Sequence, residues 1–445
     1  MVSQTAESLS SALLNSPIMV PVESDVARRT LTRVNRRIIP FIFLLFIVSY
    51  LDRVNVGYAG LQMTRELGFS DSVFGLGGGI FFIGYFLLEI PGSILAEVWS
   101  ARKWLSRIMI TWGMVASLTG LIHTTNEFYW LRFVLGIAEA GFVPGVLVYL
   151  NHWYRPQDRG KAIAMFFAAI PASAVLGGPL SALFLNIHWL GLSGWRWLLI
   201  LEGLPSVALG IVTLFYLTDH PRDAKWLAAD ERDWLASEIA KTDNAPRVSV
   251  WHALSNPLVW LMACTLMLGL TATYGVSIWL PKMVQRLSSL NLSQVSLVAA
   301  IPALCALPAM IANGHHSDRT GERIFHAAIP RTMAGAAMAI CYFTTSNIWL
   351  SVFLLSIATI GFYSAHPGFW PLPSLLLGKT AAAASIGLIN SFGNLGGFIG
   401  PYLIGYLSER SGGRFEPALM FLAICSTASG LLILFLRPSV LRAKS

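Results

Sequence analysis

Ser49-Tyr50-Leu51-Asp52-Arg53-Val54-Asn55 sets an acid beside a base inside an apolar run of roughly residues 38–59. A charge at mid-bilayer depth costs at least ~2.5–3.5 kcal/mol, so such a pair predicts a polar cavity rather than lipid around it. By helical rise Asp52 lies about 20 Å into the run, too far for its head to snorkel back to water. A second apolar run, 127–149, carries Arg132 and Glu139 seven residues apart, two turns along one helix face. These residue types do two kinds of chemistry. A planar guanidinium binds a carboxylate bidentately. A carboxyl in a low-dielectric site can exchange its charged form for its neutral form when a neighbouring cation is drawn away. Anion binding by Arg53 and Arg132 and proton exchange by Asp52 and Glu139 are the chemistry open to these residues, beside the plainer alternative that they neutralise one another as buried ion pairs.

The rest of the chain must hold these residues in place. Of 445 residues 55% are hydrophobic and only 12% charged, with a mean hydropathy of +0.62. That is about half the charge of a soluble protein. Twelve apolar segments can be read, at about 38–59, 73–96, 103–122, 127–149, 161–186, 195–217, 256–281, 292–313, 325–345, 348–371, 381–407 and 416–436. The N-terminal stretch has no apolar core of a cleaved signal peptide, and the four cysteines are too scattered for a metal site. With loops assigned alternately to the two sides, most of the 31 Lys and Arg fall on one side, with Arg53 and Arg132 left in the membrane. The positive-inside rule makes that side cytoplasmic, with both termini, in the inner (plasma) membrane. The surplus of +8 is thus topology and excludes a nucleic-acid partner. No phosphate loop occurs, so no nucleotide or other cofactor is expected and a proton gradient would supply the energy.

The expected organisation is a cytoplasmic tail over 1–36, a six-helix bundle over 37–217, a central cytoplasmic connection over 218–252, a second six-helix bundle over 253–436, and a cytoplasmic tail over 437–445. Trp226, Leu227, Trp234, Leu235 and Ile239 recur at near-helical spacing in the connection, which predicts an amphipathic helix along the cytoplasmic face. The two bundles read as repeats. Glu97 aligns with Asp318, Pro144-Gly145 with Pro367-Gly368, and Gly178-Pro179 with Gly400-Pro401, each at nearly one offset. Parallel six-span repeats place a binding site between the halves near the midplane. By helical rise Asp52, Arg53 and Arg132 should share a level in the outer half, with Glu139 nearer the middle. Glu89 is expected near the cytoplasmic end of the second span, and it and Glu202 read as structural or gating residues.

At this point the chain resembles a known superfamily. Gly314-His315-His316-Ser317-Asp318-Arg319-Thr320-Gly321-Glu322-Arg323 matches the cytoplasmic loop signature of major facilitator transporters. The first-half copy around Glu97 departs from it at Ser93, Val98 and Ser100. Tyr50 to Asn55, Phe82-Ile83-Gly84-Tyr85 with Glu89-Ile90-Pro91, Arg132 to Phe142, Trp195-Arg196-Trp197, Trp279-Leu280-Pro281 and Asn390 to Gly397 resemble the anion:cation symporter family of tartrate, sugar-acid, phthalate and hydroxyphenylacetate carriers. The resemblance implies an all-α major facilitator fold with twelve transmembrane helices in two six-helix repeats, and no enzymatic activity. It implies that Arg53 and Arg132 bind substrate, with Tyr274, Trp370, Asn390 and Asn394 completing the site from the second half. Asp52 and Glu139 would couple protons, and Glu97, Asp318, Arg319 and Arg323 would gate the cytoplasmic ends. The expected function is proton-coupled import of an organic carboxylate by a monomer, with tartrate-like hydroxy acids first, then sugar acids or aromatic carboxylates. The alternatives are a sodium-coupled or facilitative anion carrier and, further off, a transport-like sensor or an integral-membrane enzyme.

Overall fold

The computed structural model describes residues 25–241, 254–344 and 347–444. The first part of the expected 1–36 tail and the end of the expected 218–252 connection lie outside the described residues. The first half comprises α1 (Asp25–Glu66), α2 (Asp71–Val98), α3 (Ala101–Thr119), α4 (Thr125–Glu139), α5 (Phe142–Trp153), α6 (Pro156–Phe167), α7 (Ala169–Phe184) and α8 (Gly194–Tyr216). A short α9 (Ala229–Ala240) lies in the connection. The second half comprises α10 (Pro257–Leu287), α11 (Leu292–Thr320), α12 (Ile324–Tyr342), α13 (Ile348–Phe369), α14 (Leu372–Asn394), α15 (Gly396–Arg410) and α16 (Glu416–Leu434), followed by α17 (Arg437–Lys444).

Ten of the rods these helices form, among the described residues, are long and apolar enough by themselves to cross a membrane. α3 is a further member of the bundle whose Arg102, Lys103 and Arg107 make it too charged at one end for that test. The rod of α14 and α15 completes the set of twelve read in the sequence. Four rods are interrupted, and the interruptions fall at matching places in the two halves. α4 gives way to α5 at Ala140–Gly141, where Gly141 takes φ 85°, a left-handed conformation that favours glycine. α6 gives way to α7 at Ala168, α13 to α14 at Trp370–Pro371, and α14 to α15 at Leu395. The fourth and fifth rods of each half are therefore the broken ones.

Two features differ from the linear reading. α1 begins at Asp25, more than a dozen residues before its apolar run, so the expected tail is helical from there. Its extension is tied to α9: Arg29 and Arg33 both bond the fully buried Glu231, and Arg29 also reaches Asp230 at 2.5 Å. Leu235 of α9 is buried, Trp226 stacks on Trp153 of α5 at 5.2 Å, and Arg155 lies over Trp234. The tryptophan and leucine stripe thus packs on the base of the first half rather than on lipid.

Small residues let the rods approach closely, the usual means of packing helices where lipid gives no hydrophobic drive. Between the halves, a methyl group on Gly75 of α2 would fall 2.5 Å from the Pro401 carbonyl, and one on Gly405 of α15 would fall 2.3 Å from the Asp71 carbonyl. Within the first half, a methyl group on Gly136 would fall 1.9 Å from the Phe81 carbonyl. Backbone cannot yield as a flexible side chain can. Gly136→Ala is therefore expected to lower stability by about 1–3 kcal/mol, the usual range for overpacking, as a drop in the thermal unfolding temperature of the detergent-purified protein.

Candidate functional site

Arg53 is the centre of the charged residues inside the first half. It is buried, one Nη bonds the Glu139 carboxylate, and the other donates to the Tyr274 hydroxyl at 3.2 Å. Glu139 belongs to the same half and Tyr274 to α10 of the opposite half, so one guanidinium touches both. Its carbon lies 5.1 Å from the Tyr85 ring centre and 5.6 Å from that of Phe81. Arg132 lies 5.1 Å from the same Phe81 ring, leaving one phenyl group between two cations, an arrangement stabilised by the ring quadrupole. Arg132 donates through Nε to the Gly77 carbonyl at 3.3 Å, while its Nη2 is buried with no hydrogen-bond partner.

Asp52 faces the other way. It accepts from Asn55 at 3.0 Å and from Ser206 of α8 at 3.2 Å. One turn before Ser206, Glu202 is buried with both carboxylate oxygens lacking a hydrogen-bond partner. Adjacent residues on α1 thus serve different neighbours: Arg53 the interface between the halves, Asp52 the interior of its own bundle. The ion partner of Glu139 is Arg53 rather than Arg132.

From the second half, Tyr274 reaches the arginine and its ring packs on Phe82 at 4.5 Å. Asn390 donates to the Glu89 carboxylate across the interface, and Asn394, one turn further along α14, is also buried. Trp370 sits at the turn between α13 and α14, edge-on to Phe369 at 5.7 Å. None of its recorded contacts is to Arg53, Arg132, Asp52 or Glu139. A small cavity of about 40 Å³ lies between the halves, lined by Val54, Tyr58, Ala174, Ser277, Thr359 and Tyr363 among others.

The residues read as gates make contacts inside their own halves. Asp318 pairs with Arg323 at 2.7 Å, Arg323 also donates to Ser317, Arg319 is exposed, and Glu97 approaches His152 at 4.0 Å. In the turn just before α12, the Glu322 carboxyl is partly buried, which opposes its ionisation, yet the backbone N–H groups of Phe325 and His326 and the His326 ring hold it below the usual carboxylate range.

Ties between the halves are found at the opposite end of the bundle instead. Asp71, buried at the start of α2, accepts from Arg286 at 2.6 and 2.7 Å, Lys282 at 3.2 Å and Ser408 at 2.6 Å. Glu409 accepts from the Ser70 hydroxyl and the Ser72 amide, both at 2.8 Å. The sequence gives no hint of this cluster, because Asp71 is more than 200 positions from its cationic partners. A second omission is Arg331 of α12, buried and donating to the Gly269 carbonyl and the Thr273 hydroxyl. It falls inside the apolar segment 325–345, two turns from the basic loop at 319–323, and linear reading assigned it no role.

A bundle of paired six-helix halves with buried arginines and carboxyls where the halves meet has the build of a membrane carrier. The comparisons agree. Residues 42–401 match the model of the Major Facilitator Superfamily. A protein of Agrobacterium vitis named "Putative tartrate transporter" is 41% identical over 93% of this chain and 96% of its own length. "Putative metabolite transport protein NicT" of Pseudomonas putida is 38% identical over 93% of this chain and 97% of its own. Among solved structures, an inward-facing, unoccupied bacterial homolog of the human lysosomal transporter Spinster superposes with a TM-score of 0.71 at 16% identity, over 91% of this chain and 96% of that one. The chain belongs to the Major Facilitator Superfamily. It is a multi-pass membrane transporter and not an enzyme, with relatives that fit an anion-symporter branch of the superfamily.

Proposed function

We propose that this chain imports a small organic carboxylate together with protons by alternating access, with its basic loops and both termini on the cytoplasmic side of the inner membrane. The observation that carries this reading is Arg53, bonded at once to Glu139 of its own half and Tyr274 of the other. A carboxylate entering between the halves competes with Glu139 for the guanidinium, and a Glu139 deprived of its cation takes a proton. Anion and proton thereby move in one cycle, driven by the proton gradient and without a nucleotide or metal cofactor.

A hydroxylated dicarboxylate such as tartrate suits a site with two guanidiniums astride one ring, and the names of the Agrobacterium relatives support that choice. Sugar acids and aromatic carboxylates come next, the latter because Phe81, Phe82, Tyr85 and Tyr274 surround Arg53. The test is thermal stabilisation of the purified protein by a panel of organic anions and neutral sugars at two pH values. A ligand that binds only the folded state raises its stability by an amount set by concentration over Kd. One class of carboxylate should stabilise the protein, and the shift should vanish in Arg53→Ala. Stabilisation by neutral sugars alone, or by anions equally in Arg53→Ala, refutes the reading.

A further inference from the structure

The charged residues of the first half include one that the scheme above leaves idle. We infer that Glu89 is a second proton-exchanging carboxyl of the transport cycle, read by Asn390 of the opposite half. The inference rests on the proton-coupled reading of the site.

Depth comes first. α2 and α4 run parallel and are locked in register by glycines: a methyl group on Gly84 would meet the Phe133 carbonyl at 2.3 Å, and one on Gly141 would meet Cα of Gly92 at 2.9 Å. Glu89 lies three residues before Gly92, and Glu139 two before Gly141. The two carboxyls therefore stand at one level on neighbouring helices. Glu89 is 3% exposed; Oε1 accepts from Asn390, and Oε2 is buried without a well-aligned hydrogen bond, although Ser391 and Asn394 stand beside the carboxyl. An ionised carboxylate left this way is costly, because one buried oxygen lacks a well-placed donor.

Charge balance points the same way. The interior of the first half holds Asp52, Glu89, Glu139 and Glu202, all buried, against Arg53 and Arg132. Fully ionised, four carboxyls and two guanidiniums would leave this half with two negative charges in excess, against the one buried guanidinium of Arg331 in the other half, and bound protons on the carboxyls with unpartnered oxygens, Glu89 and Glu202, are the least costly way to remove them. Around Glu89, the charged groups nearest its level on the helices packed against α2 are Arg53 on α1 and Glu139 on α4, with Arg132 two turns away and the Tyr85 phenol on its own helix. From α14 the described residues facing it are the amides Asn390 and Asn394 and the Ser391 hydroxyl.

Position supplies the rest. Among the described residues, the Glu89–Asn390 contact is the hydrogen bond between halves that lies furthest toward the basic loops; the others are at Arg53–Tyr274 or beyond it toward Asp71. Separation of the halves toward the cytoplasm has to part this tie. Glu89 then meets water and gives up its proton. With Glu139 carrying one proton and Glu89 the other, a dicarboxylate crosses with its charge cancelled.

The experiment compares wild type, Glu89→Gln, Glu139→Gln and Asn390→Leu in phosphatidylethanolamine–phosphatidylglycerol vesicles with labelled L-tartrate. Glu89→Gln keeps the shape and the acceptor oxygen, so a purely structural Glu89 would leave coupling intact. The expected result is that Glu89→Gln retains tartrate–tartrate exchange and loses accumulation driven by a pH gradient. Infrared difference spectra between acidic and alkaline buffer, taken without substrate, should show a protonated-carboxyl band that is present in wild type and Glu139→Gln, absent in Glu89→Gln and shifted in frequency in Asn390→Leu. Wild-type accumulation by Glu89→Gln, or a band unchanged in it, overturns the inference. A wild type that moves no carboxylate but shows the band overturns the functional reading and leaves the protonation of Glu89 standing.

Discussion

Arg53→Lys is expected to reduce uptake of the transported carboxylate on the order of 10²-fold in proteoliposomes while the protein still reaches the membrane. Lysine keeps the charge but not the fork. In the structure the two Nη groups serve different acceptors, Glu139 and Tyr274, from opposite halves, and a single ammonium at the end of a flexible stem cannot hold that geometry. Replacing one member of a desolvated, hydrogen-bonded charge pair ordinarily costs about 2–5 kcal/mol, and each 1.4 kcal/mol is about tenfold. The same substitution at Arg132, whose recorded hydrogen bond is to one backbone carbonyl, should have the smaller effect if Arg53 is the primary anion ligand. Initial rates of labelled substrate uptake, normalised to reconstituted protein, decide the matter. Equal, wild-type rates in both variants would return the arginines to a structural role.

The second large effect is expected at the other end of the molecule. Asp71→Asn removes the one acid that Lys282 and Arg286 share while leaving both cations in place. Lys282 is 4% exposed and the Arg286 side chain 34%, so the penalty falls mainly on the lysine. Breaking a buried pair costs about 3–5 kcal/mol; with Arg286 half in solvent, ~2–4 kcal/mol is the reasonable share. Every one of these bonds joins α2 to α10 or α15, so the loss falls on the state in which this end is closed. The equilibrium should shift toward opening on the order of 10²-fold. A cysteine at Ala174, which lines the small cavity between the halves, in a chain lacking its four native cysteines, reports this as faster labelling by an impermeant maleimide from the outside. Asp71→Asn combined with Lys282→Met should recover part of the protection, because it removes the stranded cation. Unchanged labelling would mean that the glycine contacts alone hold this end shut.

Much of this molecule is legible in the chain because the bilayer leaves few choices. An apolar run of membrane length has to be a helix, and Asp52-Arg53 inside one has to find a polar neighbour. Arg53, Glu139 and Tyr274, read from three distant stretches, do meet in the structure. What linear reasoning lacks is azimuth and register. Helical rise gives the depth of a residue but not the direction it faces, so Asp52 and Arg53 were set at one level without showing that they serve different neighbours. Glu89 shows the register side of the same gap: rise counted from an uncertain helix end puts it near the cytoplasmic end of its span, and only the contacts at Gly84 and Gly141 add that it stands level with Glu139. Asp71 reads as an ordinary acid in the first turn of a helix, and Arg331 as a residue with no assigned role. Only the packing of the halves gives the first its cations and only the burial of α12 removes the second from water.

The glycine contacts between α2 and α15 also bear on speed. A seam in which backbone rests on backbone, as at Gly75 and Gly405, opens without withdrawing large side chains from fitted holes. The glycines bring no side chain that must be rehydrated as the seam parts. Much of the barrier between the two faces of the carrier is then left to the polar ties that cross it, among them those at Asp71, Glu409, Arg53 and Glu89. Turnover in such a molecule is adjustable one hydrogen bond at a time, so descendants of this scaffold could grow faster or slower by single polar exchanges along the seam while the pocket that recognises the solute stays as it is.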